Sequence, residues 1–299
     1  MKFDWYQSTI EAEPMVVLET LEKLGHEVRA NDGIAKAYRY HQGFQVHHNQ
    51  RGVVATVLMG GNGKNPHAWA SSDEAPAFAD LVRTEWPDRH LVTRVDAAED
   101  FIEAGAYDRL RKVCRKVAKE HRLKFSQRAD ELNPMAGRTQ YIGSNTSDYL
   151  GRLYEKGFEV IGKLPDIACG KFKPEDVSSI QNEATGEMVN PADWVRLEVQ
   201  ARPPEAARRL AAIASPEQIW TFTEWTSTLA KEALALDLER YFIRTRKISN
   251  DEQALRWMCR QYAQVLQRLK GDLGDWDCVG REIGELIQQE QAKQHVNNC

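Results

Sequence analysis

The sequence predicts an α+β fold: a mainly antiparallel sheet with helices packed on one face, plus a C-terminal helical domain. Three observations lead there. Up to Pro203, β-prone runs with period-two alternation are separated by polar or glycine-rich turn clusters. The run from Val195 to Ala201 has one wholly apolar side (Val195, Leu197, Val199, Ala201), as a sheet covered by helices on one face requires. After Pro203-Pro204 the pattern turns helical throughout, so residues 1–203 and 204–299 are expected as two domains.

Pro14 to Leu24 places Val17, Leu18, Leu21 and Leu24 at helical spacing, with Pro14 suited to the first turn. Ala37–His48 and Val53–Met59 read as a hairpin closed by Asn49-Gln50-Arg51-Gly52, and Gly60-Gly61-Asn62-Gly63 ends the second strand. Pro76–Trp86 is a helix and His90–Phe101 a strand. A basic helix follows from Ala106 to Leu123. Arg138–Gly143 and Tyr149–Phe158 are strands flanking the turn Ser144–Ser147, and Trp194–Arg202 is the last. Between these lies a polar segment, Lys163 to Ala192, long enough to be a functional or mobile loop. Helices are expected at Glu205–Ile213, Ile219–Ile243, Asp251–Lys270 and Val279–Glu290.

With 299 residues and 42% hydrophobic composition the chain buries a full core unaided. Five scattered cysteines with no CxxC pair imply neither a disulfide framework nor a zinc ribbon, and a reducing, cytoplasmic setting is expected. No apolar run approaches the roughly 20 residues of a membrane span. A net charge of −4 gives no global attraction to nucleic acid. Locally, Arg109, Arg111, Lys112, Arg115, Lys116, Lys119, Arg122, Lys124 and Arg128 are opposed only by Asp108 and Glu120. Such a run can follow a phosphate backbone or form a solvated helix face.

Counting strands in twos sorts chemistry onto single faces. One face of the third strand carries Val92, Arg94, Asp96 and Ala98. Others carry Leu150, Arg152, Tyr154, Lys156 and Phe158, and Trp194, Arg196, Glu198, Gln200 and Arg202. Asp96 and Glu198 suit a hard divalent cation, magnesium or manganese. A tyrosine phenol, with a reference pKa near 10, needs nearby positive charge to attack at neutral pH, and Arg152 and Lys156 flank Tyr154.

Thr93-Arg94-Val95-Asp96, then Tyr141-Ile142-Gly143-Ser144 running through Ser147-Asp148-Tyr149-Leu150-Gly151-Arg152-Leu153-Tyr154-Glu155-Lys156, then Trp194-Val195-Arg196-Leu197-Glu198 form an ordered set. In that order they resemble the replication initiation factors of rolling-circle plasmids and filamentous phages, the Rep_trans type. The resemblance covers about a third of the chain, with no motif match beyond Arg202. It implies a metal-dependent nicking enzyme that cuts one strand at its origin, keeps the 5′ end as a phosphotyrosine and frees a 3′ hydroxyl as primer. On that reading Tyr154 is the nucleophile, Asp96 and Glu198 bind Mg2+ or Mn2+, and Arg152 and Lys156 contact phosphate. Arg94, Arg115, Lys116, Lys119 and Arg196 are the candidate DNA contacts. Origin DNA and a host helicase are the expected partners. The C-terminal helices could bind DNA or form a dimer contact.

Other assignments stay open. Tyr141 and Tyr149 are rival nucleophiles, Tyr149 with core-like neighbours. Asp100 shares the Asp96 face near a strand end, where a solvated carboxylate is expected. His47-His48 point to opposite faces and cannot chelate one ion together, although one could add a third ligand. Gly60–Gly63 lacks the spacing of a nucleotide-binding loop. The stripe Leu255, Met258, Tyr262, Val265, Leu266 and Leu269 reads as core. The competing function is a catalytically silent DNA-binding regulator on the same scaffold.

Overall fold

The computed structural model describes residues 1–61, 63–182, 185–237, 255, 258–259 and 261–297. Asn62 of the glycine-rich turn and the helix ends expected at Ile243 and Asp251 lie outside them. The chain divides into two compact units, Met1–Ile243 and Arg244–Cys299.

The first unit is built on one ten-stranded sheet. Its strands are β1 (Lys2–Ile10), β2 (Glu27–Ala30), β3 (Gln42–His48), β4 (Gly52–Met59), β5 (His67–Ser71), β6 (His90–Ile102), β7 (Phe125–Arg128), β8 (Thr139–Ile142), β9 (Tyr149–Tyr154) and β12 (Trp194–Ala201). They lie in the order β2-β3-β4-β5-β1-β6-β12-β9-β8-β7, and every neighbouring pair is antiparallel. The expected α+β class and sheet are therefore present.

One face of the sheet is the core. Tyr6, Val95, Ala97, Leu153, Val195, Leu197, Val199 and Ala201 are all buried there. They pack against α1 (Pro14–Glu22), α3 (Ala75–Glu85), α4 (Ala106–Glu120), α7 (Arg208–Ile213), α8 (Pro216–Ile219) and α9 (Glu224–Leu234). Each fully buried Val, Leu or Phe contributes about 1.5–3 kcal/mol, which makes this layer the main source of stability. Pro203-Pro204 ends the last strand without ending the unit. Ala211, Ala212, Ile219, Trp220, Leu229 and Ala230 belong to the same core, so a boundary at 203 would cut through it.

The opposite face is a trough with a raised layer at each end. At one end α2 (Asp32–Ala37) seats Ala35 over Leu58 and Trp69. At the other, α5 (Lys156–Lys163), α6 (Pro165–Ala168) and the hairpin β10 (Ile180–Gln181)–β11 (Met188–Val189) close over Trp194 through Ile161, Ile180 and Val189. The polar segment expected as a long loop thus carries its own small core.

Three sequence expectations change. The fold opens on a strand, not a helix: β1 sits between β5 and β6 near the middle of the sheet. Its alternation is hidden by a register shift between Phe3 and Trp5, where Asp4 is the extra residue. A second shift, between Gln7 and Ser8, faces Thr93 and turns Val92 into the core, away from the Arg94 and Asp96 side. Finally, β9 stops at Tyr154, and Lys156 and Phe158 are helical rather than strand residues.

The second unit contains helices Ala263–Leu273 and Trp276–Asn297. The stripe expected as core is instead substantially exposed: Leu255, Tyr262 and Val265 are 56%, 47% and 43% accessible. Among the described residues no helix is long and apolar enough to cross a membrane.

The α5 seat tests this architecture. A Cβ on Gly157 would lie 2.1 Å from the Pro191 carbonyl oxygen, whereas one on Gly162 would meet nothing within 4 Å. Gly157→Ala is expected to cost about 1–3 kcal/mol of stability as overpacking against backbone. Gly162→Ala should gain up to about 1 kcal/mol from helix propensity. Urea denaturation of the two variants checks the difference in sign.

Candidate active site

Cross-strand register gathers the site on the trough face. Asp96 pairs with Trp5 on β1 and Gln200 on β12, Glu198 with Arg152 on β9, Arg196 with Asp100 on β6 and Tyr154 on β9, and Arg152 with Tyr141 on β8. Side chains from five adjacent strands therefore converge, and Asp96, Arg152, Tyr154 and Glu198 share one surface as the face count expected. A cavity of about 430 Å3 opens over them, lined also by Asp4, Trp5, Arg94, Arg138 and Tyr141.

Two arginine clamps organise the floor. Arg152 Nη2 donates to Asp96 Oδ2 at 2.9 Å and forms an ion pair with Glu198 Oε1. Arg94 donates to both oxygens of Asp96, at 3.0 and 2.5 Å, and lies 4.2 Å over the Trp5 ring. Arg196, buried to 2% exposure, donates to Asp100 at 2.6 and 2.7 Å and to Asp4 at 2.5 Å. Asp100 is thus a paired carboxylate rather than a solvated one. Arg196, expected as a DNA contact, has its guanidinium committed to Asp4 and Asp100.

Asp4 and Trp5 were not among the candidate residues. The bulge at Asp4 lets consecutive residues share one face, which defeats counting in twos. The signal available was the β-prone run Phe3-Asp4-Trp5-Tyr6.

Tyr154 donates its hydroxyl to Glu198 Oε2 at 3.3 Å. Burial, reinforced by the Glu198 charge, pushes its phenol pKa far above the ordinary tyrosine range, so in this arrangement the phenol is held protonated. Burial also raises Glu198, to about 8, against the lowering effect of Arg152, and raises Asp96 against Arg94 and Arg152. Four carboxylates (Asp4, Asp96, Asp100, Glu198) face three guanidiniums (Arg94, Arg152, Arg196), so one proton is readily retained on the cluster.

Lys156 begins α5, pairs with Glu159 Oε2 at 3.1 Å and holds its Nζ 5.9 Å from the centre of the Tyr154 ring. It therefore remains beside Tyr154 despite leaving the strand. Tyr141 lines the same cavity, while the buried Tyr149 hydroxyl has no hydrogen-bond partner among the described residues and its ring packs on the core. His47 and His48 lie on β3, four strands from β6, about 19 Å at normal strand spacing, so neither reaches Asp96 or Glu198.

The basic helix lies elsewhere. α4 buries Tyr107, Leu110, Cys114 and Val117 in the core, which puts the exposed Arg115, Lys116 and Lys119 behind the sheet, on the side opposite Tyr154. Lys116 is paired there with Glu232 at 2.7 Å.

For a divalent cation the oxygens of Asp96 and Glu198 are chemically suitable. As arranged, however, both carboxylates turn to the same Arg152 nitrogen, and among the described residues no group of three His, Cys, Asp or Glu is placed to hold a metal ion. The arrangement does not fit a bound cation.

No protein-family model matches the chain, and no curated protein matches it. Among solved structures it is similar to a rolling circle replication initiator protein from Geobacillus stearothermophilus. The likeness covers 73% of this chain and 81% of that one, at 19% identity and a TM-score of 0.44.

Because Arg196 is buried with two carboxylates, removing it strands both. Arg196→Met is expected to lose about 3–5 kcal/mol of stability. Adding Asp4→Asn and Asp100→Asn to that variant should restore part of the loss, read from urea midpoints at constant slope.

Proposed function

We propose that this protein cuts and rejoins one strand of DNA through Tyr154, acting as a rolling-circle replication initiator. The observation that carries the reading is the placement of the Tyr154 hydroxyl on Glu198, within an open cavity lined by the guanidiniums of Arg94, Arg138 and Arg152. The ordered motifs that resemble Rep_trans initiators contain Arg94, Arg152, Tyr154 and Glu198, whereas Arg138 lies just outside them.

In the proposed step the Tyr154 oxygen attacks the scissile phosphorus and its proton passes to Glu198. The bond from phosphorus to the 3′ oxygen breaks, and that oxygen leaves with the bonding electrons and takes a proton from water. The products are a 5′-phosphotyrosine and a free 3′ hydroxyl, the latter able to prime a host polymerase. A carboxylate held near pKa 8 is a stronger base than an ordinary one, which suits it to a reluctant phenol. Arg152 and Lys156 offer positive charge to the phosphoryl oxygens as charge builds in the transition state. Rejoining is the reverse reaction, with the protonated carboxyl returning its proton to the phenol.

Origin DNA is the substrate on this reading, a host helicase the partner that extends the opened strand, and the cytoplasm the setting. The C-terminal helices, with their exposed apolar side chains, would supply DNA binding or a dimer contact. Arg115, Lys116 and Lys119 would hold DNA behind the sheet rather than at Tyr154.

A magnesium or manganese ion at Asp96 and Glu198 would have to compete with Arg152. Arg152→Ala is therefore expected to bind Mn2+ at least tenfold more tightly than wild type by calorimetry, and adding Asp96→Asn should abolish that gain. Equal titrations for wild type and Arg152→Ala would remove these carboxylates as a metal site.

The second reading is a DNA-binding regulator that does not cut. A protonated phenol and an arginine already balancing both carboxylates favour it. Incubating the protein with supercoiled origin-containing DNA decides between them. The initiator reading expects nicked product with protein on the 5′ end, and at least a thousandfold loss in Tyr154→Phe. An intact substrate with wild type would leave the regulator. Cleavage should also rise with pH through about 8, because Glu198 accepts a proton only once ionised; a flat single-turnover profile from pH 6 to 9 would remove it as the base.

A further inference from the structure

A second cavity, of about 410 Å3, adjoins the first. Its volume lies within the roughly 300–1,000 Å3 of small-molecule pockets. Ser72 lines both cavities, and Lys156, which lines the second, stands over the Tyr154 ring in the first. The two spaces are therefore neighbours along a path that passes the Tyr154 side chain.

The walls differ in character. One is apolar, formed by Val160, Leu164, Pro165 and Trp194, and the buried Trp194 indole N–H has no hydrogen-bond partner among the described residues. The other is charged: Lys2 pairs with Asp73, Arg196 with Asp100, and Lys156 and Lys163 share the single carboxylate of Glu159, which leaves that pair of lysines with one positive charge in excess. A flat apolar ring carrying hydrogen-bonding groups and joined to an anion matches both walls. A bare phosphate would leave the apolar wall unused, and an aliphatic ligand would leave the lysines unused. Ser72 holds φ at +56°, a left-handed conformation costing a non-glycine residue about 1–2 kcal/mol, and it does so where the cavities meet.

From these observations we infer that the second cavity is a nucleotide subsite, receiving the nucleotide next to the scissile phosphate, its base against Trp194 and Leu164 and its phosphate toward Lys156 and Lys163. This placement rests on the strand-cleavage reading of Tyr154. It makes sequence choice at the cut depend on one base turned out of the stack and held in a pocket, in the manner of enzymes that act on extruded nucleotides.

The test separates binding from cleavage. The four deoxynucleoside 5′-monophosphates and inorganic phosphate are titrated by calorimetry into the full-length protein, into Tyr154→Phe, and into two variants outside the cleavage machinery. Val160→Phe fills the cavity and Lys163→Ala removes a rim cation. At least one mononucleotide should bind wild type and Tyr154→Phe equally, should weaken at least tenfold in Val160→Phe and about threefold in Lys163→Ala, and should outbind inorganic phosphate. The thermal midpoints of the two variants should stay near wild type. The inference is overturned if no mononucleotide binds, if inorganic phosphate binds as tightly, or if both variants bind as wild type does. Mononucleotide binding without DNA cleavage would retain the pocket and discard the Tyr154 reading. Cleavage without mononucleotide binding would do the reverse.

Discussion

Arg152 and Arg196 tie β1, β6, β9 and β12 together through four carboxylates, of which Asp96 and Glu198 lie almost wholly out of water, as does the Arg196 guanidinium. Charges buried in this way lose several kcal/mol of hydration each and are tolerable only when every partner is in place. The clamps therefore demand one register. Slipping any of the four strands by a single residue would turn its charged side chains into the helix-covered core and its apolar ones into the trough. The position of Tyr154 against Glu198, the charge balance around it and the partition between the two cavities all follow from that constraint.

The trough itself comes from an uneven covering of the sheet. Six helices cover one face, whereas the other is covered at its ends, by α2 over Trp69 and by α5, α6 and a small hairpin over Trp194. What is left open between them is where the polar side chains collect. This division also explains the position of the basic helix. α4 is strongly amphipathic, so its apolar side must face the core and its cations must point to solvent behind the sheet. The cations of α4 and the candidate chemistry consequently occupy opposite faces of one layer.

Much of this was legible from residue order. The apolar side of β12, the alternation around Asp96 and Tyr154, and the placement of Arg152 and Glu198 on one surface all follow from a period of two, because that rule needs only an extended backbone. The rule failed wherever the backbone departed from regular alternation. The bulge at Asp4 concealed the central strand and two residues of the site, and the shift opposite Thr93 moved Val92 to the core. The strand-to-helix change at Glu155 altered how Lys156 reaches Tyr154, though not its nearness. Pro203-Pro204 looked like a domain end because a proline pair stops a strand; whether the following helices return to the same core depends on contacts far away in the chain.

By itself, then, the sequence determined the fold class, the core-facing and trough-facing sides of the regular strands, and the short set of side chains from which a site could be built. These are local properties of alternation, turn chemistry and residue type. Tertiary structure alone decided that Asp96 and Glu198 share an arginine, that Tyr154 rests on Glu198 with its proton retained, that the cations of α4 lie behind the sheet, and that a second cavity adjoins the first. Each of those depends on which strands become neighbours and how deeply they are buried, and a charged group's behaviour is set by its distance to other charges and to water rather than by its place in the chain.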